Sequence, residues 1–524
     1  MNTTEFLDIA SAICPERPSI IFEGKVSTFA DVADRVNRLA AALAALGVEP
    51  RTTVGLIQVN APRCIETYFA TAKCAGIYVP LNFRARAAEF TYMINTADMK
   101  VLLVGDRYAP IIEEIKGEIP SVQHFITLDS RREGWLHYDD LLEQYAEAEP
   151  PYREVEDTDT TVLMYTAGTT GFPKGVMLSY NSFTSFVMAN VSPVDPDAEE
   201  ERNILTVPLY HIAGTQAVMS AIYGGRTLIL ERQFEATEWM GLVQQWKANR
   251  AMMVPTMLKQ LMDHADFNKY DLNSLKVITY GAAPMPLEVI SHALEVFPNT
   301  QFINAYGQTE TAATITALAP EDHHIPAGLP PEERQRRLKR LTSVGKPLAD
   351  VEIRVVDEYG NEVPRGTVGE VVARGTRVMS GYWKDEERTA KTIKGGWIYT
   401  GDQGYMDEEN YLYLAGRASD MIIRAGENIS PEEVENVLYS HPAVDDAAVF
   451  GLYDVTWGEN VGVAVVLKPG ATASEAELIQ FCRERLASYK RPEKVFFMQE
   501  LPRNPMGKVI KRELRNQYGN YPQV

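Results

Sequence analysis

Residues 165–175 read Y-T-A-G-T-T-G-F-P-K-G, and this stretch decides how the rest of the chain is interpreted. The four residues before it, T-V-L-M at 161–164, are apolar and partly β-branched, which predicts a buried strand. Three glycines and one proline then exclude regular structure. A strand that enters such a turn can present backbone N–H groups to phosphate oxygens, and hydroxyls and a lysine add donors and charge. The candidate phosphate ligands are Thr166, Ala167, Gly168, Thr169, Thr170, Gly171 and Lys174.

The stretch differs from the common nucleotide P-loop, whose pattern is G-x-x-x-x-G-K-[ST]. Gly168 and Gly171 are too close together for that pattern, and Gly175 follows the lysine. A surface loop rich in glycine and threonine is the alternative interpretation. The choice depends on whether other parts of the chain supply the rest of a nucleotide site.

Length and composition limit the class of protein. A chain of 524 residues predicts two to four domains, and 45% hydrophobic residues can bury large cores. The net charge of −20 argues against a nucleic-acid partner. Four scattered cysteines without a C-x-x-C pair predict neither a zinc site nor a disulfide framework, which suits a reducing cytoplasm. The N-terminal residues lack a basic segment and no apolar run reaches about 20 residues, so neither a signal peptide nor a transmembrane segment is expected.

The first part of the chain alternates helix and strand patterns. Thr28 and Asp31 form a predicted capping box, and apolar residues behind them recur at helical spacing up to Gly47. Strands are predicted for the short apolar runs 54–59, 76–80, 101–104 and 124–128. Strands that alternate with helices predict a parallel sheet covered by helices on both faces, which is an α/β fold.

Two later regions break this alternation. Residues 323–340 are polar and highly charged, which predicts a solvated excursion. The runs 351–356 and 369–373 are short and separated by a turn, which predicts antiparallel strands in a small β-subdomain.

Residues 302–310, F-I-N-A-Y-G-Q-T-E, again form a strand pattern that runs into a glycine turn. The aromatic ring of Tyr306 can stack on a purine. A carboxylate beside phosphates is best explained as a Mg²⁺ ligand, because Mg²⁺ binds one or two carboxylates together with phosphate oxygens and water. Glu310 is therefore the candidate metal ligand.

An aspartate and an arginine follow two later strand patterns. Asp402 ends the run W-I-Y-T-G-D at 397–402 and could accept both ribose hydroxyls, although a turn residue is the alternative. Arg417 ends the run Y-L-Y-L-A-G-R at 411–417 and could donate to ribose or to the α-phosphate.

Two further strand ends carry candidate residues for an organic substrate. The run L-T-V-P-L-Y-H-I-A-G at 205–214 breaks at a proline and puts His211 at the end of an element, where open α/β sheets meet ligands. A structural histidine is the alternative. The run V-I-T-Y-G-A-A-P at 277–284 ends in small residues, which either leave room for a ligand or allow close helix–strand packing.

Five motifs together resemble the adenylate-forming superfamily, which contains acyl-CoA synthetases, peptide-synthetase adenylation domains and beetle luciferases. Residues 165–175 resemble its T-[SA]-G-[ST]-T-G-x-P-K-G loop, 306–310 its Y-G-x-T-E motif, and 399–402 its Y-x-T-G-D motif. A G-R pair follows at 416–417, and P-R-N-P-M-G-K-V at 502–509 matches the segment with the superfamily's adenylation lysine. The motifs occur in the superfamily's order, so the resemblance covers essentially the whole chain.

The resemblance implies a role for each matched residue. The implied catalytic set is Lys508, Glu310, Thr166 and Lys174, with Mg²⁺ at Glu310. Besides the loop residues 166–171 and Lys174, the implied ATP and AMP ligands are Ala282, Tyr306, Gly307, Thr309, Asp402 and Arg417. The implied acyl pocket comprises His211, Tyr280, Gly281, Ala305 and Gly307, and the implied coenzyme A channel comprises Gly426 and Glu427.

The resemblance also implies two domains that rotate against each other. Residues 1–417 form a large N-terminal domain of packed parallel-rich sheets, and residues 421–524 form a smaller, mobile α+β C-terminal domain. Residues 418–420 form the hinge, with Ser419 at the position where the superfamily commonly has aspartate or lysine.

The implied reaction is that of an acyl-CoA synthetase, with ATP, Mg²⁺ and coenzyme A. A carboxylate attacks the α-phosphate of ATP to give acyl-adenylate and pyrophosphate, and coenzyme A then displaces AMP. The candidate pocket is mainly apolar and offers no cation for a second carboxylate, which favours a medium-chain, cyclic or aromatic monocarboxylate. A long-chain fatty acid, loading of a carrier protein, and a non-catalytic nucleotide sensor are the alternatives, and a homodimer is left open.

Overall fold

The computed structural model describes residues 2–166, 173–326, 328–417, 420–424, 427–504 and 507–519, with the backbone alone at 427 and 428. The α-helices in these ranges are α1 (Thr3–Ile13), α2 (Phe29–Ala45), α3 (Pro62–Lys73), α4 (Ala87–Thr96), α5 (Ala109–Ile115), α6 (Tyr138–Gln144), α7 (Tyr180–Asn190), α8 (Ile212–Tyr223), α9 (Ala236–Trp246), α10 (Pro255–Met262), α11 (Leu287–Val296), α12 (Pro320–His323), α13 (Pro331–Arg340), α14 (Glu386–Thr392), α15 (Pro431–Tyr439), α16 (Glu475–Arg483) and α17 (Lys511–Tyr518). The strands are β1 (Pro18–Phe22), β2 (Lys25–Thr28), β3 (Thr53–Ile57), β4 (Ile77–Pro80), β5 (Val101–Val104), β6 (His124–Thr127), β7 (Leu136–His137), β8 (Thr160–Thr166), β9 (Lys174–Ser179), β10 (Arg202–Leu205), β11 (Thr227–Leu230), β12 (Arg250–Met253), β13 (Val277–Gly281), β14 (Gln301–Gln308), β15 (Ala313–Leu318), β16 (Lys346–Pro347), β17 (Glu352–Val356), β18 (Gly369–Arg374), β19 (Gly381–Tyr382), β20 (Ile393–Lys394), β21 (Trp397–Met406), β22 (Leu412–Arg417), β23 (Ile422–Arg424), β24 (Glu427–Ile429), β25 (Val444–Asp454), β26 (Gly458–Leu467) and β27 (Lys494–Phe497).

Two large sheets form the body of the N-terminal domain. One has the strand order β19-β9-β8-β4-β3-β5-β6-β7, and the other has the order β16-β15-β14-β13-β12-β10-β11-β1-β2. Their inner pairs are parallel, for example β3 with β4 and β5, and β10 with β11 and β12. A hydrophobic core shared by β3, β8, α2, α3 and α8 lies between them. The predicted α/β class with parallel-rich sheets is confirmed.

Helix α2 shows how the sequence directs this packing. The Thr28 hydroxyl accepts from the Asp31 N–H at 3.1 Å, and the Asp31 carboxylate accepts from the Thr28 N–H at 2.8 Å. Val32 and Leu39 lie on the apolar stripe and are fully buried. Gly47, just beyond the helix, has a φ of +85°, a left-handed conformation that glycine adopts without strain. The predicted helix, with its start and stop signals, is confirmed.

Two smaller units complete the fold. The β-subdomain is an antiparallel sheet in which β17, β18, β21 and β20 are neighbours and β22 pairs with β21. The C-terminal domain has its own sheet, β24-β23-β26-β25 with β27 beside β26, and its own core around Val449 and Val463. The predicted β-subdomain and smaller C-terminal domain are confirmed, whereas the boundaries at 417 and 421 stay predictions.

The sequence predicts that residues 323–340 are solvated, and the structure differs from this prediction at the N-terminal end of the segment. Helix α13 has no buried residue, so this part is solvated as expected. His323, however, is 3% exposed, and its Nε2 lies 2.9 Å from the Tyr280 hydroxyl. Composition could not show this contact because the two residues are far apart in the chain. Within the described ranges, no helix is long and apolar enough to cross a membrane.

Candidate nucleotide and adenylation site

A cavity of about 280 Å³ opens where β9 and β14 meet the β-subdomain. Its lining brings together three motifs that are far apart in the sequence: Lys174 from the phosphate loop, Glu310 after β14, and Arg417 at the end of β22. Tyr382 and Gly401 also line it. Because most of these groups are charged or polar, the cavity suits a polyanionic ligand better than an apolar one.

Glu310 is 5% exposed and is held by two partners. Its Oε1 lies 2.5 Å from Lys174 Nζ and accepts a hydrogen bond of 3.0 Å from the Tyr382 hydroxyl. Lys174 Nζ also donates to the Tyr382 hydroxyl at 2.7 Å. Burial alone would raise the pKa of Glu310, but the Lys174 charge and these hydrogen bonds hold it below its ordinary value. Glu310 is therefore a carboxylate at neutral pH.

The residues present fit a Mg²⁺ ion that is bound mainly by its substrate. Among the described residues no cluster of three or more acids, histidines or cysteines could form a metal cage. Mg²⁺ in nucleotide sites characteristically takes one or two protein carboxylates and completes its shell with phosphate oxygens and water. Glu310 is the ionised carboxylate that could hold such an ion beside Lys174, and Mg²⁺ at this residue stays a prediction.

Tyr306, Asp402 and Arg417 form a second fixed cluster. The Tyr306 hydroxyl donates to Asp402 Oδ2 at 2.7 Å, and Arg417 Nε lies 2.7 Å from Asp402 Oδ1. Arg417 Nη1 also donates to the Thr400 carbonyl at 3.1 Å. Burial, and then the Asp402 charge, raises the pKa of Tyr306 well above its ordinary value, so the phenol stays protonated and remains a donor. The cluster presents an aromatic ring, a carboxylate and a guanidinium together, as the predicted adenine and ribose contacts require.

The small residues at the ends of β13 and β14 have a backbone explanation. A Cβ at Gly281 would overlap the carbonyl oxygen of Ala305, and a Cβ at Gly307 would overlap that of Ala313. Ala282, which follows Gly281, has a φ of +65°, a strained value for a non-glycine residue of the kind often found at ligand sites. Close packing thus accounts for both glycines, and their contact with acyl or nucleotide groups stays a prediction.

The two side chains predicted for the acyl pocket have different surroundings. His211 is the N-cap residue of α8, and its buried Nε2 finds no hydrogen-bond partner within the described ranges. Burial and the nearby Arg84 charge lower the pKa of His211 to about 3, so its imidazole is neutral at physiological pH. Tyr280 is fully buried, and its hydroxyl is paired with His323. The described contacts of Tyr280 are those of a core residue, and its pocket role stays a prediction.

Lys508 belongs to the C-terminal domain and precedes Val509, which forms an antiparallel bridge with Arg503. The Asn504 N–H donates to the Lys508 carbonyl at 2.8 Å, and Asn504 Oδ1 accepts from the Lys508 N–H at 2.9 Å. Burial, and then the Arg417 charge, lowers the pKa of Lys508, while Asp402 opposes this change. Lys508 is therefore close enough to the Asp402–Arg417 pair to be affected by both charges, although it belongs to the other domain.

Several predicted residues lie at the margin of what the structure describes. Thr166 ends β8, and its buried hydroxyl has no hydrogen-bond partner among the residues that the structure describes. Thr309 begins a short 3₁₀ turn directly after β14. The structure describes only the backbone of Glu427. The predicted site residues that lie outside the described part of the chain are Ala167, Gly168, Thr169, Thr170, Gly171, Ser419 and Gly426.

Tyr382 belongs to the site but has no sequence signal of its own. It lies in the two-residue strand β19, which pairs antiparallel with β9 and so brings the phenol next to Lys174. Hydrophobic periodicity cannot detect a strand of this length. The local S-G-Y-W sequence at 380–383 offers only a glycine beside an aromatic residue as a hint.

Residues 7–383 match the family model described as AMP-binding enzyme, and residues 433–508 match the model described as AMP-binding enzyme C-terminal domain. Together these matches cover most of the chain. The chain therefore belongs to the AMP-binding enzyme family, and the predicted membership in the adenylate-forming superfamily is confirmed.

Individual relatives indicate which class of enzyme within this family the chain resembles. The chain is 32% identical over 516 residues to an indoleacetate–CoA ligase of Aromatoleum aromaticum, covering 98% of each chain. It is 32% identical over 508 residues to the fatty acid–[acyl-carrier-protein] ligase ScoC of Streptomyces coeruleorubidus, covering 96% of this chain and 94% of that one. The solved anthranilate CoA ligase AuaEII, in complex with anthranoyl-AMP, matches with a TM-score of 0.89 at 26% identity, over 99% of this chain and 97% of that chain. These similarities place the chain among the AMP-forming acid–CoA ligases.

Proposed function

We propose that this enzyme activates a medium-chain, cyclic or aromatic monocarboxylate as its acyl-adenylate and then transfers the acyl group to coenzyme A. The observation that carries the proposal is the convergence of Lys174, Glu310 and Arg417, from three separate motifs, around one cavity. Lys508 of the C-terminal domain lies near enough to Arg417 and Asp402 for both charges to affect its pKa. Transfer at a phosphorus atom depends mainly on the positioning of the reacting groups and on positive charges placed where negative charge develops. These residues can provide both.

The first half-reaction follows from this arrangement. The substrate carboxylate attacks the α-phosphorus of ATP, the bond from that phosphorus to the bridging oxygen breaks, and pyrophosphate leaves. Lys174 and Lys508 would offset the charge on the phosphate oxygens, and Arg417 would steady the nucleotide through its pairing with Asp402. A Mg²⁺ ion bound at Glu310 would supply further charge neutralisation on the phosphates. In the second half-reaction the thiolate of coenzyme A attacks the acyl carbon, and AMP leaves.

The preference for an uncharged acyl group rests on the predicted acyl residues. His211 is neutral, and Gly281, Ala305 and Gly307 carry no polar side-chain atom. A second carboxylate in such surroundings would be desolvated without a partner, which is costly. The indoleacetate ligase and the anthranilate ligase, both named for aromatic acids, support an aromatic substrate. The carrier-protein ligase keeps acyl transfer to a protein thiol as the second candidate function.

The experiment is pyrophosphate release with ATP and Mg²⁺ over a panel of aromatic, cyclic, medium-chain, long-chain and dicarboxylic acids, with and without coenzyme A. We expect release to depend on the acid, to be strongest with an uncharged aromatic or medium-chain group, and to yield thioester only with coenzyme A. Adenylation without thioester would favour a carrier protein as acceptor. Preference for a dicarboxylate would contradict the pocket argument, and no release with any acid would favour a nucleotide sensor.

A further inference from the structure

Helix α10 of the N-terminal domain faces the C-terminal domain with two polar residues. Leu258 and Leu261 of this helix are fully buried in the core of the nine-stranded sheet. Thr256 and Lys259 are three positions apart and so share a helix face, and both are only partly exposed. They meet the C-terminal domain at two separate points.

The first contact is an ion pair between the domains. Lys259 Nζ lies 2.7 Å from Asp445 Oδ1 of β25 and 2.8 Å from Asp263 Oδ2 of its own domain. Burial lowers the pKa of Lys259, but its hydrogen bonds to the two carboxylates outweigh burial and raise it, so the ammonium is charged throughout the physiological range.

The second contact lies beside the adenylation lysine. Gly507, with a φ of +73°, packs so closely against Thr256 that a Cβ at this glycine would lie 2.6 Å from the Thr256 hydroxyl oxygen. Arg503 joins the two contacts, because its guanidinium donates to the Gly507 carbonyl and pairs with Asp446, the neighbour of Asp445. A continuous chain of contacts therefore runs from the ion pair on α10 to Gly507, the residue before Lys508.

We propose that Thr256 and Lys259 form a latch that holds the C-terminal domain where Lys508 reaches the nucleotide cavity, and that Lys259 is a positioning residue for adenylation alone. The inference rests on the two half-reactions of the proposed function. A half-exposed ion pair contributes little stability. Such a weak contact suits an interface that must form for the first half-reaction and separate for the second.

The test is a charge-reversal cycle read separately in each half-reaction. Lys259→Glu places a carboxylate opposite Asp445 across the interface and beside Asp263 in its own domain, so we expect adenylate formation in a single turnover to slow about 5- to 20-fold. Asp445→Lys should slow adenylate formation in the same way. The double variant should recover to within about threefold of wild type, because the ion pair between the domains is restored with reversed sign and the remaining repulsion from Asp263 lies within the N-terminal domain. Thioester formation from supplied acyl-adenylate should be unchanged in all three. As a matched control, Lys269→Glu breaks the exposed pair with Asp266 within the N-terminal domain and should alter neither half-reaction.

Two results would overturn the latch: equal slowing of both half-reactions, or no recovery in the double variant. A measurement that does not depend on catalysis tests the latch independently of the proposed function. Hydrogen exchange of residues 255–262 and 507–510 should be faster in Lys259→Glu than in wild type and should return in the double variant. If the wild type releases no pyrophosphate with any acid, the proposed function is wrong, but the hydrogen-exchange rates still test the latch. Exchange rates that are unchanged in Lys259→Glu would contradict the latch.

Discussion

The side chains of Glu310, which lines the candidate nucleotide cavity, and of Asp402, whose partner Arg417 lines it, are 7% and 10% exposed, whereas those of Lys259 and Asp445, between the domains, are 31% and 35% exposed. Each of these two carboxylates is almost completely buried and has two short side-chain contacts, so removing a partner leaves a buried charge unsatisfied at high cost. The interdomain pair is partly solvated, and water can take over when it separates. The molecule thus fixes the carboxylates of the candidate nucleotide site, and the ion pair between the domains is the weaker contact, as our proposal that the C-terminal domain delivers Lys508 requires.

The largest effect is expected from the most buried charge. Glu310→Gln removes the carboxylate that holds Lys174 and that would bind Mg²⁺, so we expect the rate of adenylate formation to fall about 100-fold or more. Single-turnover pyrophosphate release would measure it. Glu352→Gln, which breaks an exposed pair with Arg374 in the β-subdomain, serves as the control and should have no effect. Equal, small losses in both variants would remove the contrast between buried and exposed charges.

Asp402→Asn should weaken ATP binding about 10- to 100-fold, because Arg417 and Tyr306 each lose their charged partner in a buried position. Calorimetric titration of ATP would give the dissociation constant, and thermal unfolding would show whether the fold is kept. An unchanged constant in a folded variant would mean that Asp402 has no part in nucleotide binding.

The pH dependence of adenylation tests the role of the buried Lys508 ammonium. In the proposed reaction the charged form of Lys508 is the one that acts, and its pKa is lowered by burial and by Arg417. Adenylation should therefore be full at pH values below this lowered pKa and should decline as pH rises through it, before an ordinary lysine near 10.4 would titrate. Lys508→Arg should move the decline to higher pH. A decline at the same pH in both proteins would assign it to another group.

The smallest effect is expected at Tyr382. Tyr382→Phe keeps the ring beside Lys174 but removes the hydroxyl that joins Lys174 to Glu310. We expect about a 3- to 10-fold slower adenylation, because one hydrogen bond is lost while the ion pair remains. Single-turnover rates of the variant and wild type would be compared at saturating ATP, and a loss as large as that of Glu310→Gln would contradict this order.

The sequence predicted the parts of the fold and site that depend on local pattern. Short-range sequence patterns specify the capping box before α2, the parallel strands and the glycine turns. The motifs around Glu310, Asp402 and Lys508 could be identified from their amino-acid sequence alone. Contacts made by long-range pairing could not be identified. Tyr382 reaches Lys174 through a two-residue strand, His323 becomes buried against Tyr280, and Lys259 meets Asp445 only after both domains have folded. The close packing at Gly281 and Gly307 likewise depends on neighbouring strands that no local pattern specifies.

The most direct test of the proposal that Lys508 serves adenylation alone is Lys508→Ala. The rate of each half-reaction would be measured with an acid that the wild type accepts. If the C-terminal domain delivers Lys508 to a preformed cavity for adenylation only, acid-dependent pyrophosphate release should fall by about 100-fold or more. Thioester formation from supplied acyl-adenylate and coenzyme A should stay close to the wild-type rate. An equal loss of both half-reactions, or an undiminished release of pyrophosphate, would contradict the account.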